Sequence, residues 1–194
     1  LKEEFGSCST TIKEGLGGLK GGFLEKGDVL DYTKHSLTHN SRLRKKYIPK
    51  YENSLELRVI LTYQDSSFSQ EEKDKFFNSE FIITNDFNIM ACKLNNKKIT
   101  SVLEGIISEG IVFGSIQIPS DGQPIILLKD RQTIGGYPKI GIVLDIDCFK
   151  LSQSKPGTKI RFKEICIDEA TLKLKDFYSS FSFSNSFSNN SFES

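Results

Sequence analysis

The stretch Ile111-Val112-Phe113-Gly114-Ser115-Ile116-Gln117-Ile118, followed by Pro119-Ser120-Asp121-Gly122-Gln123-Pro124 and then Ile125-Ile126-Leu127-Leu128, decides the fold class. Branched and aromatic residues suit a pleated surface. An Asp-Gly pair between two such runs is a turn signal, so the runs are expected to form a hairpin with a widened loop. Upstream, Phe81-Ile82-Ile83 reads as another strand, and Leu55-Glu56-Leu57-Arg58-Val59-Ile60-Leu61 begins with apolar and charged residues in alternation, the pattern of a strand with one buried face. Between these two, Ser69 and Glu72 match a capping box, predicting a short helix over Glu71 to Phe77 with Phe76 and Phe77 turned inward. Downstream, Asp147 is expected to cap a helix from Cys148 to Gln153, ended by Pro156-Gly157. A strand from Lys159 to Phe162 follows, and Asp168 is expected to cap a last helix near Glu169 to Lys175. Strands outnumber helices and are not evenly interleaved with them, which predicts a mainly β barrel or sandwich with short peripheral helices.

At 194 residues and 21.9 kDa the chain suits one domain with a terminal extension, or two small lobes. Its 26 Lys plus Arg against 25 Asp plus Glu leave a net charge of +1, so the composition gives no reason to expect a nucleic-acid partner. The longest apolar runs, such as Ile125 to Leu128, are far too short to span a bilayer as a helix, and no membrane association is expected. Residue 1 is Leu and the only Met is Met90, so a native initiator is expected to lie elsewhere, and no signal-peptide pattern opens the chain. Cys8, Cys92, Cys148 and Cys166 are scattered without a CxxC pair, which reads as reduced thiols in a cytoplasmic protein and gives no metal site. His35 and His39 are four apart but sit in a polar segment without the glutamate of HExxH, and read as a solvated loop. The basic run Arg42-Leu43-Arg44-Lys45-Lys46, with Lys50 beyond it, also reads as a solvated connector.

Three segments are expected: a glycine-rich segment and basic connector over 1–54, a barrel core over 55–176, and a tail over 177–194. The tail holds eight Ser, five Phe and three Asn with Glu193 as its only charge, and without aliphatic residues it is expected to be disordered.

Polar residues able to position a ligand concentrate between Glu109 and Pro138. Gln117 is expected to share a strand face with Phe113 and Ser115, and Asp121, Gly122 and Gln123 occupy the hairpin loop. Asp130, Arg131, Gln132, Thr133, Gly135, Gly136 and Tyr137 follow the second strand. Two successive glycines at positive φ would aim backbone N–H groups at one anion, with Arg131 or Thr133 adding donors. Asp130, Arg131, Thr133 and the glycine pair are then expected to line one pocket. Gly135-Gly136-Tyr137-Pro138 reads equally as a tight turn, and so does Gly15-Leu16-Gly17-Gly18-Leu19-Lys20-Gly21-Gly22. Neither GxxxxGK[ST] nor GxGxxG occurs.

The ordered blocks Ser108-Glu109-Gly110, Gly114-Ser115-Ile116-Gln117-Ile118-Pro119, Asp121-Gly122-Gln123-Pro124 and Asp130-Arg131-Gln132-Thr133-Ile134-Gly135-Gly136-Tyr137-Pro138 resemble the signature of the biotin-dependent carboxyltransferase family, that of allophanate hydrolase subunit 2, the KipA type and the 5-oxoprolinase C subunit. Pro156-Gly157 and Arg161-Phe162 continue it, and Ser7, Ser9-Thr10, Gly17-Gly18, Gly21 and Gly27-Asp28 resemble an upstream block. The resemblance covers about residues 6 to 172, implies a cyclophilin-like β barrel, and leaves the family's first half without a counterpart. In Asn88-Ile89-Met90-Ala91-Cys92-Lys93-Leu94-Asn95-Asn96, Ile89 stands for a family Arg, Ala91 for a Gly and Lys93 for a second Arg; Gly22 also replaces an Arg.

What the resemblance implies is the C subunit of an ATP-dependent 5-oxoprolinase, working with the B subunit, of allophanate hydrolase subunit 1 type, and the A subunit, of LamB/YcsF type. ATP with Mg would be the cofactor of the complex. Asp130 would act as base or metal-contacting carboxylate, Arg131 and Thr133 would hold phosphate, and Gln117, Gln123 and Tyr137 would orient substrate. Asp121, Gly135 and Gly136 complete the implied binding set. Two alternatives stand beside this: carboxyl transfer from carboxybiotin to urea or another amide, with the biotin brought by a partner, and a non-catalytic module that sequesters a kinase inhibitor resembling the B subunit.

Overall fold

Seven strands close a barrel whose interior is set by alternation along each strand. The computed structural model describes residues 1, 3–34 and 50–182, with side chains as far as 179. The His35 and His39 pair, the Arg42 to Lys46 run and residues 183–194 of the expected tail lie outside the described residues. By internal contacts the chain divides into two compact units, 1–43 and 44–194.

In the second unit β1 (Ser54–Leu61) places Leu57 and Val59 in the core. It pairs antiparallel with β8 (Lys139–Val143) and parallel with β9 (Lys159–Glu164), from Ser54 opposite Lys159 to Val59 opposite Glu164. The expected hairpin forms between β5 (Ser115–Gln117) and β6 (Ile125–Leu127), with Ile116 opposite Ile126. β2 (Phe81–Phe87) and β3 (Ala91–Asn95) complete the closed order β1-β8-β5-β6-β3-β2-β9. Helix α1 (Gln70–Asn78) drives Phe76 into the barrel, where its ring stacks on Phe162 at 4.2 Å and meets Phe81 at 5.8 Å. Aromatic pairs at these separations add to the area they bury, and they fill the space that a Trp-free core must fill with Phe.

Several expectations need correcting. The first hairpin strand starts at Ser115, not Ile111, because Gly114 turns the chain at φ +83, where a Cβ would sit 2.5 Å from the Val143 carbonyl oxygen. The preceding residues leave the barrel, and β4 (Glu109–Gly110) pairs with β7 (Ile134–Gly135) as a separate two-stranded ribbon. Ser69 caps α1 by accepting from the Glu72 N–H at 3.3 Å, but the capping box stays half made. The Glu72 carboxylate instead accepts from the Thr100 N–H at 2.7 Å and from Lys75. Helix α2 spans Asp145–Leu151, so Asp147 lies inside it and caps nothing; its carboxylate takes a bidentate contact from Arg58 of β1 at 2.8 and 2.7 Å and a third from the Arg58 N–H at 2.9 Å. Helix α3 spans Ile167–Ser182, which puts Asp168 in its first turn and carries the helix six residues into the expected tail. The Phe177 ring meets that of Phe149 on α2, centroids 6.0 Å apart, an aromatic contact at the start of a segment expected to be disordered for want of aliphatic residues.

The first unit is made of turns. Its glycine run is tightly packed: at Gly17 (φ +69) a Cβ would fall 2.0 Å from the Ser9 carbonyl oxygen. Lys20 and Asp28 pair at 2.6 Å, and Asp28 also accepts from the Glu25 N–H at 2.8 Å. No helix among the described residues is long and apolar enough to cross a membrane.

Candidate functional site

Ile116 and Ile140 belong to the barrel core, so the neighbouring residues Gln117 and Lys139 face outward from the same two strands. The register of β5 against β8 sets Gln117 opposite Lys139. Both are nevertheless buried, because the β4–β7 ribbon lies over this part of the wall. A Cβ on Gly135 of the ribbon would come within 2.6 Å of Gln117 Nε2 and 2.4 Å of Ile111 Cδ1. Glu109, opposite Gly135 in the ribbon, accepts from the Lys139 ammonium, whose side chain is 6% exposed.

The loop after β1 completes the cluster. Gln64 Nε2 donates to Glu109 Oε1 at 2.6 Å, while Gln64 Oε1 accepts from the Lys139 N–H at 2.8 Å. The Tyr63 hydroxyl donates to Glu109 Oε2, and Thr62 Oγ1 donates to the Lys139 carbonyl oxygen at 2.8 Å. Lys139, and then Tyr63, hold the Glu109 carboxyl below the usual carboxylate range, and Glu109 in return raises the Tyr63 phenol. The result is a polar cluster between barrel wall and ribbon, made of Gln117, Lys139, Glu109, Gln64 and Tyr63. It is rich in donors directed at oxygen, and Gln117 Nε2 is buried without a partner. A small carbonyl or carboxylate compound suits such a site by its chemistry.

Of the residues expected from the sequence, Gln117 and Gly135 meet in this cluster. The other candidates are placed as follows. Asp121 accepts from the Gln123 N–H at 2.9 Å and from Lys93 Nζ at 2.8 Å, so both Asp121 and Gln123 build the hairpin loop. Lys93 is thereby engaged with Asp121. Asp130 and Arg131 lie at the other end of β6, so the hairpin separates them from Asp121 and Gln123. The Arg131 guanidinium donates to the carbonyl oxygens of Ile111, Leu128 and Lys129 at 3.3–3.4 Å, tying the foot of the ribbon to the barrel. The Thr133 carbonyl oxygen accepts from the Ile111 N–H at 3.0 Å. Asp130 is exposed, and its carboxylate has no side-chain partner among the described residues. Neither Gly135 nor Gly136 is at positive φ, so the anion nest that the glycine pair was expected to form is absent. These glycines are needed for close approach: the Gly136 carbonyl oxygen accepts from the Ile106 N–H at 2.8 Å, and Gly135 admits the Gln117 amide. Tyr137 is half-exposed beside them.

Lys139, Gln64 and Tyr63 escape sequence reasoning, and Glu109 enters it only as part of a resembling block. Lys139 and Gln64 are 75 positions apart and meet only through β1–β8 pairing. The available signal is Lys139 itself, a lone charge opening the apolar run Ile140-Gly141-Ile142-Val143.

A closed, mainly β barrel with a two-stranded ribbon folded over a polar patch of its wall is the class that fold and site define. The family described as carboxyltransferase domain, subdomain A and B, matches residues 1–164, and this chain belongs to it. The chain is 30% identical over 172 residues to the 5-oxoprolinase C subunit of Escherichia coli (strain K12) and 31% identical over 172 residues to that of Haemophilus influenzae, covering 88% of this chain in each case. It spans 54% of the length of each of these relatives. The crystal structure of the Kluyveromyces lactis urea carboxylase superposes on 95% of this chain and 18% of that one with a TM-score of 0.79 at 22% identity, a likeness of fold.

Proposed function

We propose that this chain supplies one half of a 5-oxoprolinase C subunit, which with the A and B subunits opens the lactam of 5-oxoproline to glutamate in an ATP-dependent reaction. The observation that carries the reading is the alignment over 172 residues with two relatives bearing that name. A lactam is a poor electrophile, and phosphorylation of its oxygen would make it a better one. The contribution proposed for this chain is to hold substrate against the polar cluster at the ribbon, whose outer members Tyr63 and Glu109 are the ones open to solvent.

The described residues do not fit a nucleotide. The Arg131 guanidinium is engaged by three carbonyl oxygens, and the glycine pair makes no anion nest. No group of three or more His, Cys, Asp or Glu among the described residues is arranged to hold a metal ion. ATP and its Mg are therefore assigned in this proposal to the partner subunits, to which the exposed Asp130 would be accessible. The cytoplasm is the proposed location, where the four free cysteines would stay reduced.

A chimera tests the reading: in the Escherichia coli relative the matching 172 residues are replaced by this chain, and the product is assembled with that enzyme's A and B subunits. ATP-dependent loss of 5-oxoproline above the level of those two alone is expected. A folded chimera that assembles and leaves 5-oxoproline untouched would overturn the proposal.

A further inference from the structure

The first unit, described over 1–34, has a defined shape but no core of its own. Its turns are closed by backbone: Thr11 and Leu16 exchange N–H to carbonyl hydrogen bonds at 2.8 and 3.2 Å, and the Gly21 N–H donates to the Gly17 carbonyl oxygen at 3.0 Å. A Cβ at Gly17, Gly18 or Gly21 would fall 1.8–2.0 Å from atoms of Ser9, Thr10 and Gly15, so the sequence specifies one close-packed arrangement. Yet no apolar side chain among these residues is buried: Leu19 is half-buried, and Phe5, Phe23, Val29 and Tyr32 are 76–98% exposed. A unit of roughly 40 residues usually needs a disulfide, a metal or association with another segment to hold a fold. Cys8 is the only cysteine of 1–43 and is free, and no group of three His, Cys, Asp or Glu among the described residues could hold a metal ion. Association is what remains.

We propose that Phe5, Phe23, Leu24, Val29 and Tyr32 form a docking surface for the stretch of polypeptide that the 5-oxoprolinase C subunits carry beyond their match to this chain. Three observations select that occupant. The family model runs from residue 1 through both units, so the first unit is part of the family's domain. The chain spans only 54% of the length of those relatives, and the remainder is ample for a partner that brings the absent apolar contacts. Residues 1–34 hold five Lys against six Asp plus Glu, a balance that gives an anionic lipid surface no electrostatic hold. The docking surface rests on the reading of this chain as one half of a C subunit, but not on the reaction that subunit serves.

The test is hydrogen–deuterium exchange, read by mass spectrometry, on the 194-residue chain alone and on the chimera with the Escherichia coli relative. Over residues 5–30 the isolated chain should exchange close to the rate of an unstructured peptide, and the chimera at least about a hundredfold more slowly. Phe23→Asp combined with Val29→Asp should abolish that protection in the chimera while the barrel strand Ser54–Leu61 stays protected. Slow exchange over 5–30 in the isolated chain overturns the proposal, whether its own barrel or a second copy gives the cover. Fast exchange there in a chimera whose barrel is protected overturns it too, as does protection that survives both substitutions. If the chimera does not fold, the part of the Escherichia coli relative outside the match is co-expressed with the tagged chain. Co-purification that the double variant loses is then expected; its absence, or its persistence in the double variant, overturns the proposal. A protected first unit in an inactive chimera removes the 5-oxoprolinase reading and leaves the docking surface; an active chimera with fast exchange over 5–30 does the reverse.

Discussion

Gly135 has no side chain because there is no room for one between Ile111 and the Gln117 amide. Gly135→Ala should therefore lower the unfolding free energy by about 1–3 kcal/mol through overpacking, measured by urea denaturation, although its backbone would tolerate Ala elsewhere. Glu109 gives a prediction in pH. Its folded-state pKa lies below the ordinary 4.5, so the stability it contributes is complete above that value and is lost as pH falls through the lower folded one. The thermal midpoint of the wild-type chain should drop on acidification from about pH 5. Glu109→Gln should have a lower midpoint at pH 7, since a buried ammonium loses its counter-charge, and a shallower fall in acid. Equal acid slopes in the two proteins would show that the Lys139 contact contributes nothing. These side chains were poorly legible in the sequence: Gln117 stands out as a polar residue in an apolar strand, whereas Tyr63 and Gln64 look like ordinary loop residues until barrel closure brings them to Glu109.

At the scale of elements, Arg58 and Asp147 join β1 to α2 through a bidentate pair in which the Asp147 carboxylate is only 1% exposed. Removing one partner of such a pair leaves a buried charge, so Arg58→Met should destabilise the chain by about 3 kcal/mol in chemical denaturation. Restoring apolar balance with Asp147→Leu in the same chain should recover part of that loss, because the paired charges are themselves costly to bury. Asp147 also shows where local signals mislead. An Asp before an apolar run reads as a cap, but the tertiary contact with Arg58, 89 positions away, claims the carboxylate and the helix starts three residues earlier than expected. Strands β1, β2, β9 and the central hairpin were legible because alternation or a turn signal marks them. β8 was not: it is buried on both faces, so it lacks alternation, and it follows a Gly-Gly-Tyr-Pro segment that reads as a loop. The ribbon was invisible for another reason. Its strands have two residues each, too short for any period, and only the Glu109 to Gly135 pairing defines them.

Across the whole molecule the four thiols fall into two classes. Burial pushes the Cys92 thiol up to about 12 and raises that of Cys148 as well, while Cys8 and Cys166 are exposed. An aromatic disulfide reagent at pH 8 should label two cysteines in the native chain and four in denaturant; fast labelling of Cys92 or Cys148 without denaturant would contradict the core described above. The isolated chain should give no turnover of 5-oxoproline, since it spans 54% of the length of its relatives; activity from the purified chain without the A and B subunits would refute this. The parallel pairing of β1 with β9 also bears on how the protein is made. Ser54 meets Lys159, so the last seam joins segments separated by on the order of 100 residues. A ribosome must release residue 164 before that seam can form, and until then β1 and β2 each present a bare edge to their surroundings. Nascent chains halted short of β9 should be open sheets that stick to one another or to chaperones, and adding Lys159 to Glu164 should turn them protease-resistant in a single step.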